Sequence, residues 1–302
     1  MNAERPYPYR LLNLLLILTL GQVLPACLGT SDTQASAQEP GRLVFVSDRE
    51  GDWDLFSVEP DGSDLVKLTR GGSMNSNAAF SPDGSRIAFT SNRSGNQQIW
   101  IMNADGSNPA QLTQPPGECG GPTWSPDGSR IAFRSGRDGG GIFSMAPDGS
   151  NVQRVTQPGF RGSRPTWSPD GQRFAYQVQD RNHHSEIWVV NVDGSDPVQL
   201  TDSPAGGNQH PRWSPDGAWI VFNSWRNDDD ASSDIWIMRA DGGDQRRLTS
   251  EPSMEEYPKW SPDGTRILFT VGNAGLFTMA ADGSDRRRVT DDHFFTAGWD
   301  WG

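Results

Sequence analysis

A chain of 302 residues is long enough for one large domain or two ordinary ones. Its net charge of −12 sets up a mean field that repels nucleic acid and anionic lipid head groups, and its one dense basic run, residues 286–288, is flanked by Asp285, Asp291 and Asp292. Frequent glycine and proline with twelve tryptophans suit short strands, tight turns and aromatic packing between sheets, and no long amphipathic helix can be placed after residue 40.

In chain order the first feature is an export signal. Arg5 and Arg10 precede residues 11–20, an apolar run broken only by Asn13 and Thr19. The run falls short of the ~20 apolar residues of a membrane span. Leu24-Pro25-Ala26-Cys27 resembles a bacterial lipobox, with Cys27 lipidated and left as the new N-terminus, although Pro25 is unusual at its position. Ala35-Ser36-Ala37 is a competing small-residue site for ordinary secretion, but it lies far from the apolar run. The division expected is therefore 1–27 export signal of lipoprotein type, 28–41 flexible tether and 42–302 folded domain. The domain belongs in the cell envelope and meets the membrane only through the lipid; the alternative is a soluble secreted or periplasmic protein. With Cys27 lipidated, Cys119 has no disulfide partner.

The domain is a set of repeats. Ser-Pro-Asp-Gly begins at Ser81, Ser125, Ser168, Ser214 and Ser261, at spacings of 44, 43, 46 and 47, a period of propeller blades rather than shorter solenoid units. Asp-Gly recurs at Asp61, Asp105, Asp148, Asp193, Asp241 and Asp282. Before each stands an aliphatic–aromatic pair such as Ile99-Trp100, and after each a Leu-Thr or Val-Thr. The second unit holds four strand-like runs: one ending at Phe80, then 86–91, 98–103 and 110–113. Pro-Asp-Gly and Asp-Gly make tight turns because Pro fixes φ, Asp bonds its own backbone and Gly accepts φ > 0. Strands A–B and C–D are thus hairpins of one antiparallel sheet. The first unit lacks strand A, while residues 296–299 at the other end, with Trp299 placed like Trp124, Trp167, Trp213 and Trp260, supply one. The fold expected is an all-β six-bladed β-propeller of four-stranded antiparallel blades, closed by a C-terminal strand A that completes the first blade and removes the sheet edges.

The unit W-S-P-D-G-x-x-I-A-F-x-S-x-R…I-W-x-M-x-x-D-G…L-T, best seen from Ser125 to Phe133, resembles the WD-like repeat of TolB-type propellers over residues 42–302. The resemblance implies the fold firmly and the role weakly, because related blades occur in unrelated proteins. It covers the propeller alone: residues 28–41 leave no room for the α/β domain that precedes the blades in TolB. Similar blades precede the hydrolase domain of prolyl oligopeptidase-like peptidases, but the G-x-S-x-G elbow of that domain does not occur.

Up-and-down blades put the A–B and C–D turns at one end, where the copies are nearly identical, and the B–C loops and D–A connections at the other, where they differ. Variable loops on a rigid scaffold suit recognition. The mouth of the channel at that end is the expected ligand-binding site, with Asn77, Glu118, Arg161, Arg164, Gln209, His210, Glu256 and Tyr257 as its residues and Asn75 and Glu255 nearby. The expected ligand is a protein, peptide or glycan, bound by a monomer. No catalytic residue, metal ligand or cofactor is assigned. His183, His184, His210 and His293 all fall on the variable end, as exposed loop histidines without metal-ligand spacing. Oligogalacturonate lyases are similar in blade type and act at such a mouth, so a metal-assisted lyase or hydrolase using His210, Tyr257 and Arg164 is the alternative. An accessory subunit of an envelope complex or peptidase is another. Asp228, Asp229, Asp230 and Asp234 read as a solvated acidic loop, and the recurrent Ser-x-Arg (Arg49, Arg93, Arg137, Arg226) as a structural brace stacking on tryptophan. Intact-mass measurement of the mature protein tests the anchor: an acylated Cys27 is expected at the N-terminus, and an unmodified terminus at Gln38 would replace the lipoprotein reading with ordinary secretion.

Overall fold

The computed structural model describes residues 42–48, 50–59, 63–180, 184–203, 207–226, 232–272, 274–289 and 300–301. The export signal with Cys27, the tether, Arg49, His183, the acidic run 228–230, His293 and Trp299 lie outside them.

Twenty-four strands form six four-stranded antiparallel sheets among the described residues. Blade 1 joins β1 (Leu43–Ser47), β2 (Asp54–Val58) and β3 (Val66–Lys67) to the last strand of the chain. Blade 2 is β4 (Asn75–Phe80), β5 (Arg86–Ser91), β6 (Gln98–Asn103) and β7 (Ala110–Gln111). Blade 3 is β8 (Cys119–Trp124), β9 (Ile131–Ser135), β10 (Gly141–Met145) and β11 (Gln153–Arg154), and blade 4 is β12 (Gly162–Trp167), β13 (Arg173–Gln179), β14 (Ser185–Asn191) and β15 (Val198–Gln199). Blade 5 is β16 (Asn208–Trp213), β17 (Trp219–Ser224), β18 (Asp234–Arg239) and β19 (Arg246–Arg247); blade 6 is β20 (Glu255–Trp260), β21 (Arg266–Val271), β22 (Leu276–Ala280) and β23 (Arg287–Arg288). The closing strand β24 is Asp300–Trp301, antiparallel to β1 with Leu43 opposite Trp301.

Closure is therefore as the repeats require, but its register is two residues later than the sequence suggests. Trp124 faces Ile131 and Trp260 faces Ile267 in their blades. The residue facing the equivalent Leu43 is Trp301, not Trp299. Without a Pro-Asp-Gly turn after it, nothing in the last copy marks which tryptophan carries the register.

The repeat markers are hydrogen-bond devices. In the Ser-Pro-Asp-Gly turn Ser125 Oγ donates to Asp127 Oδ1 (2.6 Å) and accepts from the Arg130 amide (2.9 Å), while Asp127 accepts from the Ser129 amide (3.0 Å). These bonds to the ionised form hold the turn aspartates below the ordinary carboxylate range, Asp83 at about 2 with Ser81 as its main donor. The Thr of Leu-Thr ends the outer strand early. Thr113 Oγ1 accepts from the Ile99 amide (2.8 Å) and donates to Gln98 Oε1 (2.7 Å), so a side chain takes over the ladder bond and β7 stops at Gln111 instead of Thr113. The Ser-x-Arg brace stacks as expected: the Arg226 guanidinium lies 4.5 Å from the Trp236 ring and bonds Asn208 Oδ1 (2.7 Å). Blade 6 lacks that Arg, and Arg286 takes its place from just before the outer strand, 5.0 Å from Phe277 and paired with Glu255 (2.8 Å). Asp234 is fully buried and paired with Arg247 (2.8 Å), so the solvated-loop expectation fails for it.

Glycine has two distinct jobs in the turns. In Asp-Gly, a Cβ on Gly106 (φ +83°) would sit 2.8 Å from the Leu68 carbonyl oxygen of the preceding blade. In Ser-Pro-Asp-Gly, a Cβ on Gly128 (φ +69°) would meet nothing closer than Pro82 Cδ at 3.6 Å. Gly128 is needed only for its backbone angle, which Asn tolerates; Gly106 is needed for space between blades. Gly128→Asn should cost under about 1 kcal/mol, and Gly106→Asn or Gly106→Ala about 2–4 kcal/mol from strain plus overpacking. Denaturant unfolding of the variants checks this, and equal losses would refute the inter-blade role of Gly106.

Candidate functional site

The inner strands β4, β8, β12, β16 and β20 share an irregularity at the end of the channel where the D–A connections enter them. The pairing register shifts between Ser76 and Ala79, Gly120 and Thr123, Ser163 and Thr166, Gln209 and Arg212, and Glu256 and Lys259. Inside each shift one residue takes a left-handed backbone: Asn77 (φ 50°), Gly121 (63°), Arg164 (53°), His210 (56°) and Tyr257 (56°). A bulge re-aims the side chain it carries. Asn and Gly accept this conformation readily. Arg and Tyr do so at a cost of order 1–3 kcal/mol each, a strain that clusters at functional sites.

The three larger side chains belong to adjacent blades and meet. The His210 and Tyr257 rings are 4.4 Å apart at 50°, and the Arg164 guanidinium lies 5.8 Å from the Tyr257 ring. His210 Nδ1 bonds Asn223 Oδ1 (2.7 Å), and its amide donates to Gln177 Oε1 (3.4 Å). His210 Nε2 and Asn223 Nδ2 are buried with no hydrogen-bond partner. Among the described residues no carboxylate lies within ion-pair distance of Arg164, although Glu256 attracts it electrostatically. Burial pushes Glu256 and Tyr257 up and Arg164 down, so the site resists charge on every group it contains.

The remaining expected mouth residues divide. Gln209 is half-buried with its amide toward Ser185 Oγ (3.4 Å), and Asn77 bonds Ser76 Oγ (3.1 Å). Glu118 and Arg161 are exposed on the D–A connections. Asn75 and Glu255 are buried in the inter-blade network, Asn75 bonding Asp54 Oδ1 (3.2 Å) and Glu255 pairing with Arg286, and neither belongs to the mouth. Of the histidines described, His184 is an exposed loop residue beside Asp180. His210 is 3% exposed, contrary to expectation, because the bulge turns its ring in against Tyr257. Sequence reading missed Gln177 and Asn223. They are the variable x of I-A-F-x-S, a polar residue in an otherwise apolar strand, and that contrast is the signal that marks them.

A second concavity, of about 260 Å³, lies at the other end of the channel, between the inner strands of blades 4, 5 and 6. Among the described residues no three His, Cys, Asp or Glu side chains converge as a metal site, and no helix is long and apolar enough to cross a membrane.

The architecture and repeat define a closed six-bladed propeller of the Ser-Pro-Asp-Gly class. The TolB beta propeller domain family matches residues 73–204 and 164–299, and the chain belongs to that family. Among solved structures, TolB from Acinetobacter baumannii is similar at 23% identity and TM-score 0.72, over 86% of this chain and 66% of that one. The chain thus spans about two thirds of that TolB. A putative TolB from Agrobacterium tumefaciens is similar at 22% identity and TM-score 0.64, over 82% of this chain and 87% of that one. An oligogalacturonate lyase in complex with manganese is similar at 15% identity and TM-score 0.64, over 83% and 74%. At these identities the likeness is one of fold. No curated protein sequence matches the chain.

Burial and the charge of Arg164 hold the His210 pKa well below its ordinary 6.5, so the folded ring stays neutral where the unfolded one protonates. The stability contributed by neutral His210 is complete above about pH 6.5 and falls as pH drops below it, by up to about 1.4 kcal/mol per pH unit. His210→Asn tolerates the backbone angle and removes this term. The difference in melting temperature between wild type and variant should narrow from pH 7.5 to pH 5; a constant difference would show that His210 titrates normally.

Proposed function

We propose that the chain is a non-catalytic binding propeller of the cell envelope that grips a protein, peptide or glycan at the mouth formed by its variable loops. The observation that supports this reading is the cluster of Arg164, His210 and Tyr257. Three adjacent blades place bulky residues in left-handed bulges, where blades 2 and 3 use Asn77 and Gly121 at little cost. Strain kept at one end of an otherwise regular ring needs a return, and ligand contact supplies one. Arg and Tyr are also the side chains that concentrate binding energy in recognition surfaces. The proposed setting is a ring tethered by lipid on Cys27, a reading that rests on residues 1–41 of the sequence.

A lyase is the second reading. His210 Nε2 is an unpartnered ring nitrogen, and the manganese complex of an oligogalacturonate lyase shares the fold. Elemental analysis separates the two: a stoichiometric transition metal lost in His210→Ala would favour the lyase.

Peptide and glycan arrays, with crosslinked capture from envelope extract, test the binding role. Arg164→Ala and Tyr257→Ala should each weaken the captured ligand by roughly 30-fold, about 2 kcal/mol. Ser150→Ala at the opposite end should leave it unchanged. Empty arrays and an empty capture after crosslinking would overturn the proposal.

A further inference from the structure

The third blade leaves a gap in the mouth. The bulged position that holds Arg164, His210 and Tyr257 in blades 4 to 6 is Gly121 in blade 3, and a Cβ there (φ +63°) would meet nothing within 4 Å. Its neighbour Gly120 carries no side chain either. Opposite Gly120 on β9 stands Arg134, whose Nη2 lies 3.9 Å from the place a Cβ on Gly120 would take. Arg164 enters from the next blade, near enough that the Arg134 charge joins burial in lowering its pKa. Two glycines and a half-buried guanidinium from each of two adjoining blades thus bound the gap.

Neither guanidinium has its donors taken. Among the described residues Arg134 makes no hydrogen bond, ion pair or ring contact. Arg164 lies against the Tyr257 ring at 5.8 Å and is attracted by Glu256 from beyond ion-pair distance, but it donates no hydrogen bond among the described residues. An independent observation comes from the repeat. Arg134 occupies the x of I-A-F-x-S, where the other blades carry Thr90, Gln177, Asn223 and Thr270, each with a side-chain oxygen. Thr90 Oγ1 accepts from the Gly121 amide of the next blade (3.1 Å), and Gln177 Oε1 accepts from the His210 amide (3.4 Å). Residue 134 stands in the same relation to the Arg164 amide, but a guanidinium has no acceptor to offer it. Blade 3 has thus lost a bond that braces the neighbouring bulge and set a second cation beside the first. Both choices work against stability, and a local rule broken without structural return marks a functional position.

We propose that the gap between Arg134 and Arg164 binds an oxyanion group, a carboxylate or phosphate, carried by the ligand of the mouth. Each guanidinium offers parallel N–H donors in a fork that matches two oxygens of such a group. An anion between them replaces the repulsion of two cations with two attractions, and the missing side chains of Gly120 and Gly121 leave it room. The inference rests on the mouth being a binding site and adds the charge of what binds there.

The test titrates the full mature chain by calorimetry with inorganic phosphate and, separately, with citrate. One saturable site is expected. Arg134→Gln is the deciding variant, because Gln177 occupies this position in blade 4 and the substitution restores the acceptor. It should weaken binding at least tenfold while its melting temperature stays at or above that of the wild type. The exposed Arg239→Gln should leave binding unchanged. Phosphate binding alone assigns a phosphoryl ligand and citrate binding alone a carboxylate; either result supports the site. Absence of saturable binding to both probes, or full binding by Arg134→Gln, overturns it. Loss of binding together with a fall in melting temperature makes Arg134 a structural residue and overturns it as well. The mouth and the oxyanion can fail separately. A captured ligand that is weakened by Tyr257→Ala, yet unaffected by Arg134→Gln and by excess phosphate or citrate, keeps the mouth and overturns the oxyanion. Saturable phosphate or citrate with empty arrays and an empty capture keeps the oxyanion site and overturns the protein, peptide or glycan.

Discussion

No blade of this ring owns a core. Val44, Val46 and Leu55 of blade 1 pack with Phe80, Ile87, Phe89 and Met102 of blade 2, while Ala88, Ile99 and Ile101 on the other face of blade 2 pack with Trp124, Ile131 and Phe133 of blade 3. The same sharing runs through blades 4, 5 and 6. A single blade would expose both apolar faces, so each depends on its two neighbours. A linear stack would leave end blades with a bare face and bare strand edges; a closed ring leaves neither. Closure therefore governs stability, and it rests on a short pairing in which Leu43 and Val44 meet Trp301 and Asp300.

That constraint explains why the two ends of the ring differ in how far the copies vary. At the tight end the Asp-Gly turn of one blade touches the outer strand of the blade before it, with no room for a Cβ between Gly106 and Leu68. Blade spacing is set there, so each copy repeats the same residues. At the other end the inner strands carry bulges instead of fixed turns, and the bulged position accepts Asn, Gly, Arg, His or Tyr without disturbing the sheets behind it. Variation is tolerated where the ring does not need uniformity, and chemistry collects in the same place.

The division decides what the sequence could reveal. Strands, turns and blade number were legible because each rests on a local rule: alternation, Pro-Asp-Gly, and a period in the forties. The early end of the outer strand at Gln111 was less legible, because it depends on a threonine hydroxyl replacing a backbone partner. The final register was hidden because the last copy offers both Trp299 and Trp301 and no Pro-Asp-Gly turn follows either. At the mouth, Arg164, His210 and Tyr257 could be picked by position in the repeat, but not their left-handed backbone nor the burial of His210, which arises from contact with Tyr257, one blade further along the sequence yet adjacent in space. Asn75 and Glu255 were misplaced because each lies two residues before a bulged position: simple alternation would keep the pair on one face, and the left-handed bulge at Asn77 and Tyr257 breaks it.

Net charge must be read through the same architecture. The repeat dictates one aspartate in each of five Ser-Pro-Asp-Gly turns and one in each of six Asp-Gly pairs. The turn aspartates of the described copies, such as Asp127 and Asp148, are tied to turn hydroxyls and amides, which keeps them ionised without implying any acidic recognition. Much of the formal −12 is thus the signature of hairpins on one rim. Arg134, Arg164, Arg212 and Lys259 depart from it, contributed by blades 3 to 6 at positions where the repeat imposes no residue type. A charge that recurs in every copy reports the fold, whereas a charge that appears in one blade and not the next reports what the fold holds.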